Sequence, residues 1–131
     1  DSSGAGDYLP HNYTHNCVVY TGTHDNDTVM GWYDTLKGAD KKLCDDYLRL
    51  KNADGEPIPR EQLPWEFVRA AMSSVADLAI IPMQDYLGLG SEARINIPST
   101  LGINWKWRMG NGDFTKELAG RIRSMTKLYG R

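Results

Sequence analysis

The apolar positions of this 131-residue chain fall into continuous runs and periodic stripes, and the two kinds of pattern alternate. Asn16-Cys17-Val18-Val19-Tyr20-Thr21 is a short, β-rich apolar run ended by Gly22, which predicts a strand buried on both faces. A second run, Leu78-Ala79-Ile80-Ile81-Pro82-Met83, is bounded by Asp77 and by Gln84-Asp85. Pro82 has no N–H for a ladder and is expected near the end of that strand. Between the runs, Val29, Met30, Trp32, Tyr33 and Leu36, then Leu43, Tyr47 and Leu50, recur at helical spacing and give one apolar stripe each. Asp54-Gly55-Glu56-Pro57-Ile58-Pro59 is punctuation, after which Pro64 opens a helix whose Val68, Ala71, Met72 and Val75 share a face. Leu118, Ile122, Met125 and Tyr129 predict a last helix, stopped by Gly130.

Strand, helices, strand, irregular segment and helix in that order is the alternation of parallel α/β architecture. Two strands apolar on both faces need neighbours, whereas a closed (β/α) barrel takes eight strands and typically ~250 residues. The chain therefore reads as part of a larger fold.

Composition changes this picture little. Apolar residues at 40% and charged residues at 24% suit a globular chain with a real core. No run of 18 apolar residues occurs, and Asp1 to Asp7 resembles no secretory leader, so neither membrane nor export is expected. A net charge of -2 with interspersed signs offers no field to gather nucleic acid or an anionic surface; a neutral substrate fits better. Cys17 and Cys44 lack the spacing of a zinc site or redox pair and read as reduced thiols of a cytosolic protein.

The polar cluster Thr21-Gly22-Thr23-His24-Asp25-Asn26-Asp27-Thr28 follows the first strand directly and precedes a helix. Ligands bind at this edge of parallel α/β sheets. Two readings stand side by side. In one, Asp27 or Thr28 caps the helix while Asp25 and Asn26 shape the turn; in the other, His24 and Asp25 face a ligand. A metal site of His24, Asp25 and Asp27 has suitable atom types but no second His at ligand spacing. His11 and His15 lie in a Pro/Asn/Tyr-rich loop and read as surface or hydrogen-bonded histidines.

Longer stretches carry a resemblance. Tyr8-Leu9-Pro10-His11-Asn12-Tyr13 and Val18 to Thr28, then Ile80-Ile81-Pro82-Met83-Gln84-Asp85 through Asn96, then Asn104-Trp105-Lys106-Trp107-Arg108, resemble the 4-α-glucanotransferases of glycoside hydrolase family 77 in the family's order. Ser99-Thr100-Leu101-Gly102-Ile103 departs from the family's Gly-Thr-Ala-x-Gly-like run there.

The resemblance implies the carboxy-terminal part of a (β/α)₈ TIM barrel, with Cys17 to Thr21 as seventh strand, Leu78 to Met83 as eighth, and Asp1 just after the sixth. Residues 1–131 would form one portion of the catalytic barrel domain, and the nucleophilic Asp and acid/base Glu would lie upstream. It further implies retaining transfer of α-1,4-glucan segments between maltooligosaccharides, without cofactor or metal. His24 and Asp25 would bind hydroxyls of the glucose at the cleaved bond, Asp25 being the third, non-nucleophilic carboxylate. Asn26, Arg94, Asn96 and Trp105 are the candidate substrate-binding residues, Arg94 and Asn96 at the barrel mouth. Trp105 and Trp107 have faces to stack on sugars or, in a nucleic-acid reading, on bases; alternate residues of an extended segment point to opposite sides, so one of the pair is expected to be buried. Gly88-Leu89-Gly90 reads as a loop after the strand, since a lone Gly-x-Gly is weak evidence for a phosphate cradle. A noncatalytic glucan-binding module and a metal-dependent hydrolase are the competing functions.

Overall fold

The computed structural model describes residues 6–131, so the position of Asp1 relative to a sixth strand lies outside them. Strand β1 (Val18–Tyr20) pairs in parallel with β2 (Leu78–Ile80), Val18 opposite Leu78 and Tyr20 opposite Ile80. Both strands are shorter than the apolar runs predict. Pro82 ends the ladder early by capping a short helix, so Met83, read as the end of the second strand, is instead its first residue.

The expected burial on both faces holds on one face only. Val19 is buried with Ala71 and Ala76, while Val18, Tyr20, Leu78 and Ile80 are between 41% and 51% exposed. Beside β1 opens a groove of about 960 Å³, lined among others by Tyr8, Tyr13, Tyr20, Trp32 and Phe67.

Helices α1 (Val29–Thr35), α2 (Gly38–Tyr47) and α3 (Leu63–Met72) follow the periodic stripes. Val29, Met30, Tyr33, Cys44, Leu48, Leu50 and Leu63 form one core. Leu50 lies beyond the end of α2, where Arg49 at φ 57° turns the chain and brings Leu50 inward. Burial raises the Asp45 carboxyl, but hydrogen bonds from Lys41 and Tyr33 outweigh it and hold it below the ordinary carboxylate range. Burial pushes the Cys44 thiol up to about 11, so this free cysteine stays protonated at neutral pH.

A second core joins Trp65, Val68 and Met72 of α3 to the stripe Leu118, Ile122, Met125 and Tyr129 on α5 (Lys116–Leu128). Arg121 lies over the Trp65 ring at 3.8 Å, and Arg131 donates to the carbonyls of Met72 and Ser74, satisfying the end of α3. Val75, assigned to the α3 face by spacing, falls beyond the last turn and is exposed. The four-residue α4 (Met83–Tyr86) follows β2 and ends near Gly88, whose φ of 67° suits glycine.

Gly31 marks where α1 meets the segment after β2. A Cβ there would collide with the side chains of Ser91 and Asp27, which hydrogen-bond to each other at 2.7 Å. Gly31→Ala gains ~1 kcal/mol in helix propensity but loses about 1–3 kcal/mol to overpacking. A net loss in thermal midpoint is expected for the full-length protein; an unchanged midpoint would mean that both side chains step aside.

Candidate functional site

Residues 21–28 leave the carboxyl end of β1 and enter α1. Thr28 is the helix cap, its hydroxyl accepting from the Gly31 N–H at 3.0 Å. Asp27, the other candidate, is engaged elsewhere. Its Oδ1 accepts from the Thr28 N–H at 2.8 Å and its Oδ2 from Ser91 Oγ at 2.7 Å. Asn26 shapes the turn, accepting at 2.8 Å from both the N–H and the hydroxyl of Thr23.

His24 and Asp25 occupy the outer part of this loop, with side chains 52% and 47% exposed and Nε2 3.2 Å from Oδ1. The segment after β2 comes up against them. Asn96 Nδ2 donates to Asp25 Oδ1 at 2.8 Å, and its backbone N–H donates to the His24 carbonyl at 3.1 Å. Arg94 donates through Nη2 to the Asp25 carbonyl at 2.7 Å and through Nε to the Asn96 carbonyl at 2.9 Å. Four of the residues singled out in the sequence are thus in one hydrogen-bonded cluster.

A fifth, Trp105, joins them by stacking. Its ring centroid is 5.0 Å from that of His24, tilted by 35°. The segment is a turn rather than extended: Trp105 has φ 65° and donates its N–H to the Ile95 carbonyl at 2.7 Å. Left-handed backbone is an outlier for so bulky a residue, and such strain concentrates at functional sites. Neither Trp105 nor Trp107 is buried, because the expected alternation requires an extended chain. Trp105 is more than half exposed.

Asp85 was not among the expected site residues. It is 1% exposed, and its Oδ1 accepts from the Val29 N–H at 2.9 Å while Oδ2 accepts from the Thr21 hydroxyl. Burial holds its carboxyl above the ordinary range; the bonds from Thr21 and Val29 pull it down, and the charge of Asp27 adds to the rise. Gln84, also buried, donates to the Ala93 carbonyl at 3.2 Å. In the sequence the two stood as a polar pair at the end of an apolar run, within the family-like stretch from Ile80 to Asn96. A cavity of about 20 Å³, the space of one water, lies between these residues and Asn26, Asp27 and Arg94.

The metal reading loses its geometry, because the described residues contain no group of three His, Cys, Asp or Glu side chains able to hold an ion. His11 stands against Tyr47 of α2, with Nδ1 2.9 Å from the hydroxyl. The His15 carbonyl accepts from the Asp77 N–H at 2.9 Å, joining the lead-ins to the two strands. No helix among the described residues is long and apolar enough to cross a membrane.

Comparison with known proteins places the chain as a whole. The chain is 50% identical over 125 residues to a 4-α-glucanotransferase of Clostridium butyricum, covering 95% of this chain and 24% of that protein. It is 46% identical over 127 residues to the chloroplastic/amyloplastic 4-α-glucanotransferase of Arabidopsis thaliana, covering 95% and 21%. An amylomaltase from Streptococcus agalactiae, solved in complex with acarbose, superposes with a TM-score of 0.86 at 35% identity, over all of this chain and 25% of that one. The chain thus spans about a quarter of the length of the curated relatives it matches. Residues 1–113 match the 4-α-glucanotransferase family, glycoside hydrolase family 77, and the chain belongs to that family.

Proposed function

We propose that the protein carrying this chain is a cytosolic 4-α-glucanotransferase that moves α-1,4-glucan segments between maltooligosaccharides with retention, and that this chain supplies its transition-state-stabilising loop. In this reading β1 and β2 are the seventh and eighth strands of a (β/α)₈ barrel, and residues 1–131 form the carboxy-terminal portion of the catalytic barrel domain. Nucleophile and acid/base come from elsewhere in the polypeptide. The observation that carries the proposal is the convergence of Arg94 and Asn96, from one strand unit, on His24 and Asp25 of the other.

Retaining transfer uses one carboxylate as nucleophile and a second carboxyl that protonates the departing oxygen and later deprotonates the acceptor. A sugar 4-hydroxyl takes the place of water in the second step. Asp25 contributes in both. Its Oδ1 is held by Asn96 and faces His24, which leaves Oδ2 for a hydroxyl of the reacting glucose. As that ring flattens and gains oxocarbenium charge, its hydroxyls become better donors, and charge-assisted bonds to an ionised carboxylate strengthen. The Asn96 bond limits how far the carboxylate moves.

Trp105 provides an apolar face beside His24 for an adjoining sugar. Trp105→Ala is expected to raise KM for maltotriose about tenfold with a smaller change in kcat, because stacking on a non-reacting sugar binds ground and transition states alike. Steady-state kinetics on the full-length enzyme would measure this. The function itself is tested by incubating that enzyme with maltotriose and following products. Glucose together with longer glucans supports transferase activity, whereas binding without turnover favours a noncatalytic glucan-binding module.

A further inference from the structure

The loop 21–28 is held by one short stretch of chain, residues 85–96, at its two ends and at its middle. Arg94 and Asn96 hold the middle through the Asp25 carbonyl and carboxylate. Asp85 holds the ends. Thr21, the first residue after β1, bonds one carboxylate oxygen, and Val29, the first residue of α1, bonds the other. We propose that Asp85 is a positioning residue for the reaction: its buried carboxylate clamps both ends of the His24–Asp25 loop and so sets where Asp25 meets the sugar. The inference rests on the reading that His24 and Asp25 contact the glucan.

Two observations separate this role from ordinary capping. Thr28 already takes the Gly31 N–H of α1, so Asp85 is not the helix's sole cap, and its second bond goes to Thr21 at the other end of the loop. An ionisable group that is 1% exposed is also costly to bury, and it is retained only where its partners offset that cost. What the carboxylate does that an apolar side chain would not is tie Thr21 to Val29, residues 64 and 56 positions away from it. Asp85 touches no sugar in this arrangement; it acts through Asp25. A small misplacement of a reacting constellation costs up to ~10²-fold in rate.

The test is a set of variants in the full-length enzyme, read as kcat and KM for maltotriose disproportionation and as a double-mutant cycle. Asp85→Ala is expected to lower kcat by roughly 10–10²-fold with less change in KM. Asp85→Asn should recover most of that loss, because its Oδ1 still accepts from Val29 while its amide donates to a Thr21 hydroxyl that has turned. In an Asp25→Asn background, Asp85→Ala should cost little more, since the group it positions is already disabled. If Asp85→Ala does not fold, Thr21→Val decides, since it cuts one of the two bonds with nearly the same shape. A few-fold loss of kcat is then expected with Asp25 intact and almost none with Asp25→Asn. Wild-type kcat in the Asp85→Ala and Thr21→Val variants, or full additivity with Asp25→Asn, would overturn the inference alone. Wild-type turnover in Asp25→Asn would overturn the site reading, and the inference with it.

Discussion

Asp25→Asn is expected to lower kcat of the full-length enzyme by about 10²–10³-fold, the loss typical of removing one transition-state hydrogen-bonding group. The thermal midpoint should barely move. The Asp25 side chain is 47% exposed, and substitutions at such positions usually change stability by no more than ~0.5 kcal/mol. The replacement also preserves the local geometry: an asparagine Oδ1 still accepts from Asn96 Nδ2, and the backbone bond from Arg94 is untouched. What changes is the charge. A neutral amide binds a sugar hydroxyl but does not strengthen as the ring becomes positive, so the loss falls on kcat more than on KM. Turnover of maltotriose set beside a melting curve measures both quantities. Wild-type turnover would show that Asp25 has no part in the chemistry.

The second large effect concerns the 131-residue chain by itself, which should self-associate and show no transfer from maltotriose. Among the described residues its sheet has two strands, each with an unpaired outer edge, and a two-stranded sheet is marginal in water. Val18, Tyr20, Leu78 and Ile80 are 41% to 51% exposed. Full burial of a large apolar side chain is worth about 1.5–3 kcal/mol, so leaving four of them half in water forgoes about 3–6 kcal/mol, against total domain stabilities of ~5–15 kcal/mol. The exposed edges and the groove beside β1 then serve as adhesive surface.

The chemistry fails for a separate reason. Retaining transfer needs two carboxyl groups ~5–5.5 Å apart. On the loops around His24, Asp27 uses both oxygens for Thr28 and Ser91, and Asp85 is buried with both oxygens bonded, so neither serves with Asp25 as such a pair. Light scattering and a maltotriose assay would check the two halves of the expectation. A monomeric, cooperatively unfolding chain that made glucose and longer glucans would refute it.

Much of this was legible without coordinates, because the signals were local. Continuous apolar runs marked β1 and β2, and period-3.6 stripes marked the helices, down to the α5 face of Leu118, Ile122, Met125 and Tyr129 that packs on α3. The run from Thr21 to Thr28 stood out as a candidate ligand loop by lying between a strand and a helix, where capping and ligand binding were equally open readings, and the motifs around it named the family.

Tertiary structure decided what depends on partners far along the chain. Asp27 and Thr28 are equally good caps by residue type; Ser91, 64 residues on, draws Asp27 away and leaves the cap to Thr28. Trp105 read as one of an alternating pair, but its N–H bond to Ile95 holds it at φ 65° and brings its ring to His24. Asp85 looked like the polar end of a strand; only the parallel pairing of β1 with β2 carries it to Thr21 and Val29. Periodicity records which face of an element a residue occupies. It holds no record of which distant donor will meet a given carboxylate, because that pairing exists only once the strands lie side by side.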